Sequence, residues 1–217
     1  MEQRTHRPEY YEIDRRELRQ FLALQGVHAV GRVLNVGCGA GADHKWLREL
    51  GASELVGIEP VKEAAQIASQ RYDTVTTGRI EEWRSGDGQS FDLILFADVL
   101  EHLIDPAQVL RRSLDWLSPA GSVLVSLPNV RHISVIAPLV FQGRWDYQLD
   151  GVMDRTHLRF FTRRTARELL ESSGLSVMAM RRYGASRVAR RVAELAPPLG
   201  EFIQSQVFLL ARRSVPR

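Results

Sequence analysis

The sequence is poor in several residue types that mark particular classes of protein. Its 217 residues contain one cysteine, Cys38, so an internal disulfide is excluded. Lysine occurs only at Lys45 and Lys62, and arginine therefore carries nearly all of the positive charge. No apolar run approaches the roughly 20 residues that a membrane-spanning helix requires, and the charged segment 1–22 lacks the apolar core of a signal peptide. These absences predict a cytoplasmic protein without a transmembrane segment.

The remaining composition is ordinary for a globular protein, with 44% hydrophobic and 25% charged residues. The length suits one α/β domain that spans 1–217. The net charge of +3 is unevenly placed, since eight arginines between 181 and 217 face only Glu194 and Glu201. This basic stretch is either a solvated surface or a patch for phosphate, an anionic carrier lipid or nucleic acid.

A glycine-rich turn follows the apolar run at 33–36. Its glycines stand at alternate positions: Gly37, Gly39 and Gly41. A helix pattern at 42–50 and a second apolar run at 54–58 come next, and that run ends in Glu59. This order is typical of a nucleoside-binding βαβ unit, in which glycine lets the backbone approach a ligand and the acid accepts hydrogen bonds from ribose hydroxyls. Because the glycines together with Ala42 also fit a dinucleotide-binding dehydrogenase, this turn alone leaves the cofactor open.

Later segments narrow the choice. Residues 91–103 form an apolar strand that runs into a polar loop, and Asp105 and Pro106 suit the N-cap and first turn of a helix. Four motifs then stand in order: VLNVGCGAGA, VGIEP, FDLILFADVLEHLIDP and LSPAGSVLVSLPN. In these motifs and their spacing, residues 30–183 resemble the class I S-adenosylmethionine-dependent methyltransferases. The resemblance implies an enzyme with S-adenosylmethionine as its cofactor.

Periodicity and turn residues predict the secondary structure. An amphipathic helix is predicted at 9–24, within an N-terminal helix or lid at 1–30, and a second helix at 162–173. A turn is predicted at 117–121. The predicted strands lie at 33–36, 55–58, 74–77, 93–96, 123–127, 175–182 and 204–211. With the family resemblance, this order predicts a single α/β domain with a doubly wound, Rossmann-like sheet of seven strands, mostly parallel with an antiparallel last strand and with helices on both faces.

The resemblance also implies which residues contact the cofactor. The implied set is Gly37, Cys38, Gly39, Gly41, Glu59, Pro60, Ile80, Glu81, Ala97 and Asp98. The glycines and Glu59 would contact the methionine and ribose parts, residues 80–81 the adenine, and residues 97–98 the methionine part. Two positions depart from the family pattern. Asn35 and Arg79 stand where the family usually has acids, which weakens the implied contacts to the cofactor amine and to adenine.

The loop after the predicted strand at 93–96 carries D-x-x-E-H, formed by Asp98, Glu101 and His102. In one interpretation Glu101 caps the loop and His102 lines the pocket. In a second, His102 or His157 is a general base and Glu101 completes the catalytic set, because imidazole can take a proton from a hydroxyl near neutral pH. In a third, both acids and both histidines bind a divalent metal, as the similar E-x-x-E-H of small-RNA 2′-O-methyltransferases and ubiquinone-pathway O-methyltransferases implies. Our expectation is that no metal is required.

The segment 128–161 is predicted to be an insertion that sets the substrate, because long loops at the carboxyl ends of parallel strands carry function. Its GRWDY and DRTHLRFFT sequences resemble bacterial methyltransferases encoded with glycosyltransferases in surface-polysaccharide pathways, over residues 128–175. This resemblance implies a sugar hydroxyl as the methyl acceptor. Trp145 and Tyr147 would stack on a pyranose face, or else form the core of a lid. The arginines beside them that suit a phosphate are Arg131, Arg144, Arg155 and Arg159.

We therefore predict an O-methyltransferase that acts on a sugar or small hydroxylated metabolite, phosphorylated or lipid-linked, in polysaccharide biosynthesis. RNA 2′-O-methylation is an alternative that the basic stretch favours, although nucleic acid is not the expected partner because aromatic residues are sparse there. A non-catalytic cofactor-binding module is a second alternative, favoured by Asn35. A dehydrogenase would leave D-x-x-E-H unexplained. The sequence does not indicate an oligomeric state.

Overall fold

The computed structural model of the chain describes residues 15–84, 86, 90–184 and 200–214. Two predictions fall partly outside these ranges. The first is the beginning of the N-terminal helix or lid. The second is the basic stretch, of which Arg187, Arg190 and Arg191 lie outside the described residues.

One seven-stranded sheet forms the centre of the described structure. The strands are β1 (Arg32–Val36), β2 (Glu54–Glu59), β3 (Thr74–Thr77), β4 (Phe91–Ala97), β5 (Leu117–Pro128), β6 (Leu175–Tyr183) and β7 (Gln206–Arg213). Their order across the sheet is β3-β2-β1-β4-β5-β7-β6. Strands β1 to β5 pair in parallel, whereas β7 is antiparallel to both β5 and β6. The predicted fold class is confirmed.

Helices cover both faces of this sheet. Their bounds are α1 (Arg16–Leu24), α2 (His44–Glu49), α3 (Lys62–Ala68), α4 (Pro106–Trp116), α5 (Ile133–Gln142), α6 (Arg163–Ser172) and α7 (Gly200–Ile203). Side chains of β4 alternate between two apolar clusters, because successive strand residues point to opposite faces. Ile94 packs with Leu110 of α4 and Leu170 of α6, whereas Leu95 packs with Phe21 of α1 and Trp46 of α2. None of the described helices is both long and apolar enough to cross a bilayer.

Two predicted helix starts have the expected caps. The Asp105 side chain accepts a hydrogen bond from the Gln108 amide at 2.9 Å, with Pro106 in the first turn of α4. Thr162 caps α6, and its exchange of hydrogen bonds with Thr165 is a capping box. These caps fix where the chain leaves the loops at the carboxyl edge of the sheet, which is the edge that carries the candidate site.

The predicted turn at 117–121 is wrong. These residues begin β5, which pairs with β4 from Leu117 and shifts register between Phe91 and Leu93. A Cβ on Gly121 would lie 2.8 Å from the Phe91 carbonyl oxygen, so the strands approach closely where glycine stands. The proline and glycine that suggested a turn are therefore accommodated in an irregular strand start.

Candidate active site

The glycine turn lies at the carboxyl end of β1, between β2 and β4 in the sheet. Gly37, Gly39 and Gly41 have φ angles of +66°, +56° and +81°. A Cβ on Gly37 would lie 2.7 Å from Val99 Cγ2, and one on Gly41 would lie 3.2 Å from the Ala68 Cα. Side chains are therefore excluded here by both backbone conformation and space, which leaves the turn a bare backbone surface suited to a ligand.

Glu59 ends β2 beside this turn and is 4% exposed. Its Oε2 accepts a hydrogen bond from the Gly39 amide at 2.8 Å, and its Oε1 accepts one from the Val61 amide at 3.0 Å. The carboxylate is thus held between the loop after β1 and the loop after β2. A carboxylate oxygen can accept more than one hydrogen bond, so this placement fits the predicted contact with ribose hydroxyls.

Beneath the turn, two predicted residues face the interior of the protein. Asn35 is fully buried in β1, and its Nδ2 donates to the Tyr72 hydroxyl at 2.8 Å. The Cys38 sulfur packs against Gly57, where an added Cβ would lie only 2.7 Å from it. Burial raises the pKa of the Cys38 thiol. Any contact that Cys38 makes with the cofactor therefore comes from its backbone, and its side chain belongs to the packing under the loop.

Asp98 follows β4 with a left-handed backbone, φ +56°, a strained conformation for a residue with a Cβ that is often found at functional sites. Its Oδ1 accepts hydrogen bonds from Ser126 Oγ at 2.8 Å and Gln206 Nε2 at 3.2 Å. Its Oδ2 accepts one from Arg15 Nε at 3.2 Å, and Arg15 also donates to the buried Asp43 at 3.4 Å. No sequence pattern signals Arg15 or Asp43, because the contacts of Arg15 join residues 83 and 28 positions apart.

The remaining predicted cofactor residues lie along the carboxyl ends of β2, β3 and β4. Ala97 ends β4 and is buried, whereas Pro60 is exposed just after β2. The side chain of Ile80 packs in the apolar core. The carbonyl of Glu81 accepts a hydrogen bond from Arg112 Nη1 at 2.7 Å, which ties this loop to α4. The structure thus brings the predicted set to one edge of the sheet.

Glu101, His102 and His157 form a cluster at the same edge. One ligand atom from each lies within 4.8 Å of the others, and the two imidazole rings meet edge to face at 4.8 Å between centroids. His157 Nε2 is 4.0 Å from Glu101 Oε1. Asp98, which the metal interpretation includes, lies outside this cluster, and its oxygens accept hydrogen bonds from Ser126, Gln206 and Arg15.

Hydrogen bonds set the tautomer of both imidazoles. His102 Nδ1 lies 3.1 Å from the Thr156 carbonyl oxygen, and His157 Nδ1 lies 3.0 Å from that of Val152. A carbonyl oxygen can only accept, so in neutral imidazole both Nδ1 atoms carry the proton and both Nε2 atoms carry the lone pair. This is the arrangement of metal-binding histidines, whose second nitrogen donates to a backbone carbonyl, and it also suits a general base.

The predicted insertion is partly helical and contributes His157 to this cluster. It includes α5, and its aromatic side chains Trp145 and Tyr147 lie 5.3 and 6.2 Å from the Phe160 ring between centroids. Phe160 in turn lies 6.3 Å from the His157 ring. Trp145 is 38% exposed and Tyr147 is 53% exposed. A line of aromatic rings therefore runs from the surface to His157.

Arg144 and Arg159 of the insertion have partners close to the candidate site's loops. Arg144 pairs with Asp146 at 2.5 Å, and Arg159 Nη2 donates to the Ile104 carbonyl oxygen at 2.7 Å. The backbone amide of Arg159 also donates to the Glu101 carbonyl at 3.0 Å. Arg159 therefore fastens the end of the insertion to the loop that carries Glu101.

Comparison with known families agrees with this geometry. A family model described as a methyltransferase domain matches residues 4–179. The chain belongs to this methyltransferase family. The predicted methyltransferase family is thereby confirmed, and the glycine turn and Glu59 fit the predicted cofactor, S-adenosylmethionine.

Solved structures share the fold of this methyltransferase. An S-adenosylmethionine-dependent methyltransferase from Mesorhizobium loti matches with a TM-score of 0.63 at 23% identity, over 90% of this chain and 98% of that one. The magnesium protoporphyrin IX methyltransferase from Synechocystis PCC 6803, solved with bound S-adenosylhomocysteine, matches with a TM-score of 0.64 at 15% identity, over 95% and 83%. The seven-stranded fold thus recurs at low sequence identity.

Similar sequences include methyltransferases named for ubiquinone biosynthesis. The human mitochondrial ubiquinone biosynthesis O-methyltransferase is 32% identical over 161 residues, which cover 69% of this chain and 42% of that protein. That of Neisseria meningitidis serogroup C is 27% identical over 136 residues, covering 58% and 55%. The methyltransferase described here therefore spans less than half the length of the human relative that it matches.

Proposed function

We propose that this methyltransferase transfers the methyl group to a hydroxyl oxygen of a small metabolite. The observation that carries the proposal is the cluster of Glu101, His102 and His157, in which both Nε2 atoms hold their lone pairs and that of His157 lies 4.0 Å from the buried Glu101 carboxylate. A hydroxyl loses its proton when it is methylated, so a histidine at this edge of the sheet could take up that proton. The names of the similar ubiquinone biosynthesis O-methyltransferases support the same reaction type.

The proposed roles follow from position. When bound, S-adenosylmethionine supplies an electrophilic methyl group on sulfur. Glu59 would hold the ribose, and the glycine turn would let the cofactor lie against the backbone. Val99, whose side chain lies against the turn at Gly37, directly precedes the short 3-10 helix Leu100–His102. Because of this connection, a hydroxyl held near the methyl donor would lie close to the histidines that receive its proton.

The same cluster fits a divalent metal. One carboxylate and two imidazoles are donors that suit Mg, Mn or Zn, and the carbonyl acceptors at each Nδ1 would orient the rings. Glu101, His102 and His157 would hold the ion. When bound, the ion would lower the pKa of the acceptor hydroxyl. In both the metal and the general-base interpretation, these residues promote loss of the proton from the acceptor hydroxyl.

For the acceptor, the aromatic line from Trp145 through Phe160 to His157 supports a ring-bearing molecule. The names of the relatives favour a hydroxyl acceptor of the kind that ubiquinone biosynthesis uses. A sugar hydroxyl in polysaccharide biosynthesis, implied by the resemblance of residues 128–175, is the competing acceptor. Either ring would stack on the exposed faces of Trp145 and Tyr147, so stacking does not distinguish the two acceptors. The reaction that we propose, methylation of a hydroxyl, rests on the cluster and is the same for both.

Substitution of the histidines tests the proposal. We expect His102→Ala and His157→Ala to lower turnover on the methyl acceptor about 100-fold or more, the usual contribution of a positioned proton acceptor, while S-adenosylhomocysteine affinity by calorimetry stays near wild type. His28→Ala is the matched control, because His28 is exposed and lies outside the cluster. Full turnover in both cluster variants would contradict the proposal.

Chelation separates the two interpretations of the cluster. If Glu101 and the two histidines hold a metal, exhaustive chelation removes activity, Mg or Mn restores it, and calorimetric titration with Mn shows a site that His157→Ala lacks. If a histidine is the general base, activity survives chelation and Mn titration shows no such site. The Mn titration reads the site directly and does not depend on identifying the acceptor.

A further inference from the structure

Beyond the cluster, the described structure has a cleft of about 290 Å³ beside the start of α6. We call it the arginine cleft. The residues that line it are Arg131, Thr162, Arg163, Arg164, Arg167, Met180 and Glu201. Four of these are arginines and one is an acid, so the cleft is strongly basic. None of its lining residues belongs to the predicted cofactor or catalytic set.

A single carboxylate faces the arginines from three different segments. Arg131 Nη1 lies 3.4 Å from one oxygen of Glu201, and Arg163 Nη1 and Arg182 Nη1 lie 3.5 and 3.3 Å from the other. Arg182 does not line the cleft, but the two arginines that do, Arg131 and Arg163, already share the one carboxylate of Glu201. Each contact uses one nitrogen at a long distance, whereas arginine binds an anion best with two parallel hydrogen bonds. The cleft therefore has a surplus of positive charge and of arginine donors.

The start of α6 adds to this charge. Thr162 caps the helix and lines the cleft, and the first amides of a helix have no acceptor within the helix. Arg164 and Arg167 pair with glutamates four positions later on α6, at 2.7 and 3.7 Å. Among the ion pairs found in the described structure, Arg131 and Arg163 are therefore the cleft arginines that pair only with Glu201, and Arg131 also lies over the Phe202 ring at 4.7 Å.

The arginine cleft is connected to the candidate active site through residues 200–206. At one end of this segment, the carbonyl of Glu201 accepts a hydrogen bond from Asn129 Nδ2 at 2.8 Å. At the other end, Gln206 Nε2 donates to Asp98 at 3.2 Å. Arg131 follows β5 by a few residues, and Arg163 begins α6. The cleft and the site therefore lie on the same edge of the sheet.

We propose that the arginine cleft binds a phosphate or diphosphate group. Planar guanidinium groups from two segments and the amino end of α6 suit tetrahedral oxyanions, and the cleft is large enough for such a group. The further step, that the phosphate belongs to the methyl acceptor and anchors it for O-methylation, rests on the proposed function. Phosphate binding itself does not rest on it.

Calorimetric titration with pyrophosphate and with inorganic phosphate tests the cleft. We expect saturable binding to the wild-type chain and a loss of about 10-fold or more in Arg131→Gln/Arg163→Gln, since each change removes a charge-assisted hydrogen bond. The matched control is Arg19→Gln/Arg111→Gln, which removes the same charge from exposed positions on α1 and α4. The control should bind pyrophosphate like wild type.

If the double variant is unstable, a substitution that should increase pyrophosphate affinity provides a second test. Glu201→Gln removes the competing carboxylate, so pyrophosphate should bind several-fold more tightly, even though the three ion pairs are lost. A purely structural ion-pair network predicts lower stability and no gain in binding. Unchanged or weaker pyrophosphate binding in Glu201→Gln would therefore overturn the proposal.

Vesicles distinguish the sources of the phosphate. If the group is carried by a lipid, the chain sediments with vesicles of equal parts phosphatidylcholine and phosphatidylglycerol but not with phosphatidylcholine alone, and Arg131→Gln/Arg163→Gln loses this binding. If it is carried by a soluble molecule, pyrophosphate binds and the vesicles do not. Absence of both, or equal binding by the double variant, refutes the phosphate site. S-adenosylhomocysteine affinity and turnover on a phosphate-free acceptor should persist in the double variant, so a failure here leaves the proposed function intact.

Discussion

Substitution of Glu59 by alanine should damage both the loop and the cofactor site. The carboxylate accepts hydrogen bonds from the Gly39 amide at 2.8 Å and the Val61 amide at 3.0 Å, and only 4% of the residue is exposed. A buried donor left without an acceptor costs about 1–3 kcal/mol. Because Gly39 and Val61 are both only partly buried, water can replace part of each bond, and we expect a total loss of about 2–4 kcal/mol in the free energy of unfolding.

Cofactor affinity should fall with stability, because the same carboxylate is expected to accept from the ribose. Urea unfolding measures the stability, and calorimetric titration with S-adenosylhomocysteine measures the affinity, for which we expect a loss of about 10-fold or more. Glu59→Gln keeps one acceptor oxygen and should fall between wild type and Glu59→Ala in both measurements. The ranking of wild type, Glu59→Gln and Glu59→Ala in stability and in affinity then shows whether one or both acceptor oxygens are required.

Glu54→Ala is the matched control, since it removes a second glutamate from β2. Glu54 pairs with Arg32 at 2.6 Å, and its side chain is 36% exposed, so its loss should cost only about 0–1 kcal/mol and leave cofactor affinity unchanged. The reasoning is refuted if Glu59→Ala unfolds at the same urea concentration as Glu54→Ala. It is equally refuted if S-adenosylhomocysteine binds both variants alike.

Two further predictions concern backbone space and pH. Gly37→Ala should destabilise the chain more than Gly143→Ala in urea unfolding, because both glycines have φ near +65° but only the new Cβ at 37 would come within 2.7 Å of Val99; equal losses would contradict the steric argument. Burial would raise the pKa of Asp73, but hydrogen bonds from a backbone amide and from Arg48 outweigh it and lower that pKa. The resulting stability is present above the ordinary aspartate pKa of about 4 and disappears as the pH falls through the lowered value. Asp73→Asn should therefore be less stable than wild type at neutral pH, and the difference should vanish in strong acid; a difference that persists there would contradict this account.

Local patterns predict most of the sheet and the cofactor side of the site. Buried parallel strands appear as apolar runs, and the spacing of strand, turn, helix and strand is sufficient to place Glu59 beside the glycines, where the Gly39 hydrogen bond confirms it. The helix predicted at 162–173 matches α6 together with its capping residues, Thr162 and Ser173. The exception is 117–121, where proline and glycine indicate a turn but the residues form the irregular start of β5, with Leu117 opposite Phe91 and continuous pairing only from Ser122.

Contacts between distant segments account for what the sequence does not reveal. Arg15 reaches Asp98 and Asp43 across the molecule, and no repeat or spacing in the chain signals those pairs. The phosphate hypothesis names arginines of the insertion, of which only Arg131 lines the arginine cleft. Arg163, on α6, also lines the cleft. Neither periodicity nor the count of charges predicts that Arg131 and Arg163 contact the same carboxylate.

The antiparallel β7 also sets an order in which the sheet can be completed. It lies between β5 and β6, and in the described structure β6 pairs with no other strand. Until residues 206–213 are in place, β6 has no neighbouring strand in the described structure. A chain shortened at 206–213 should therefore lose β6 from the sheet, and β6 should be the strand that a protease reaches first.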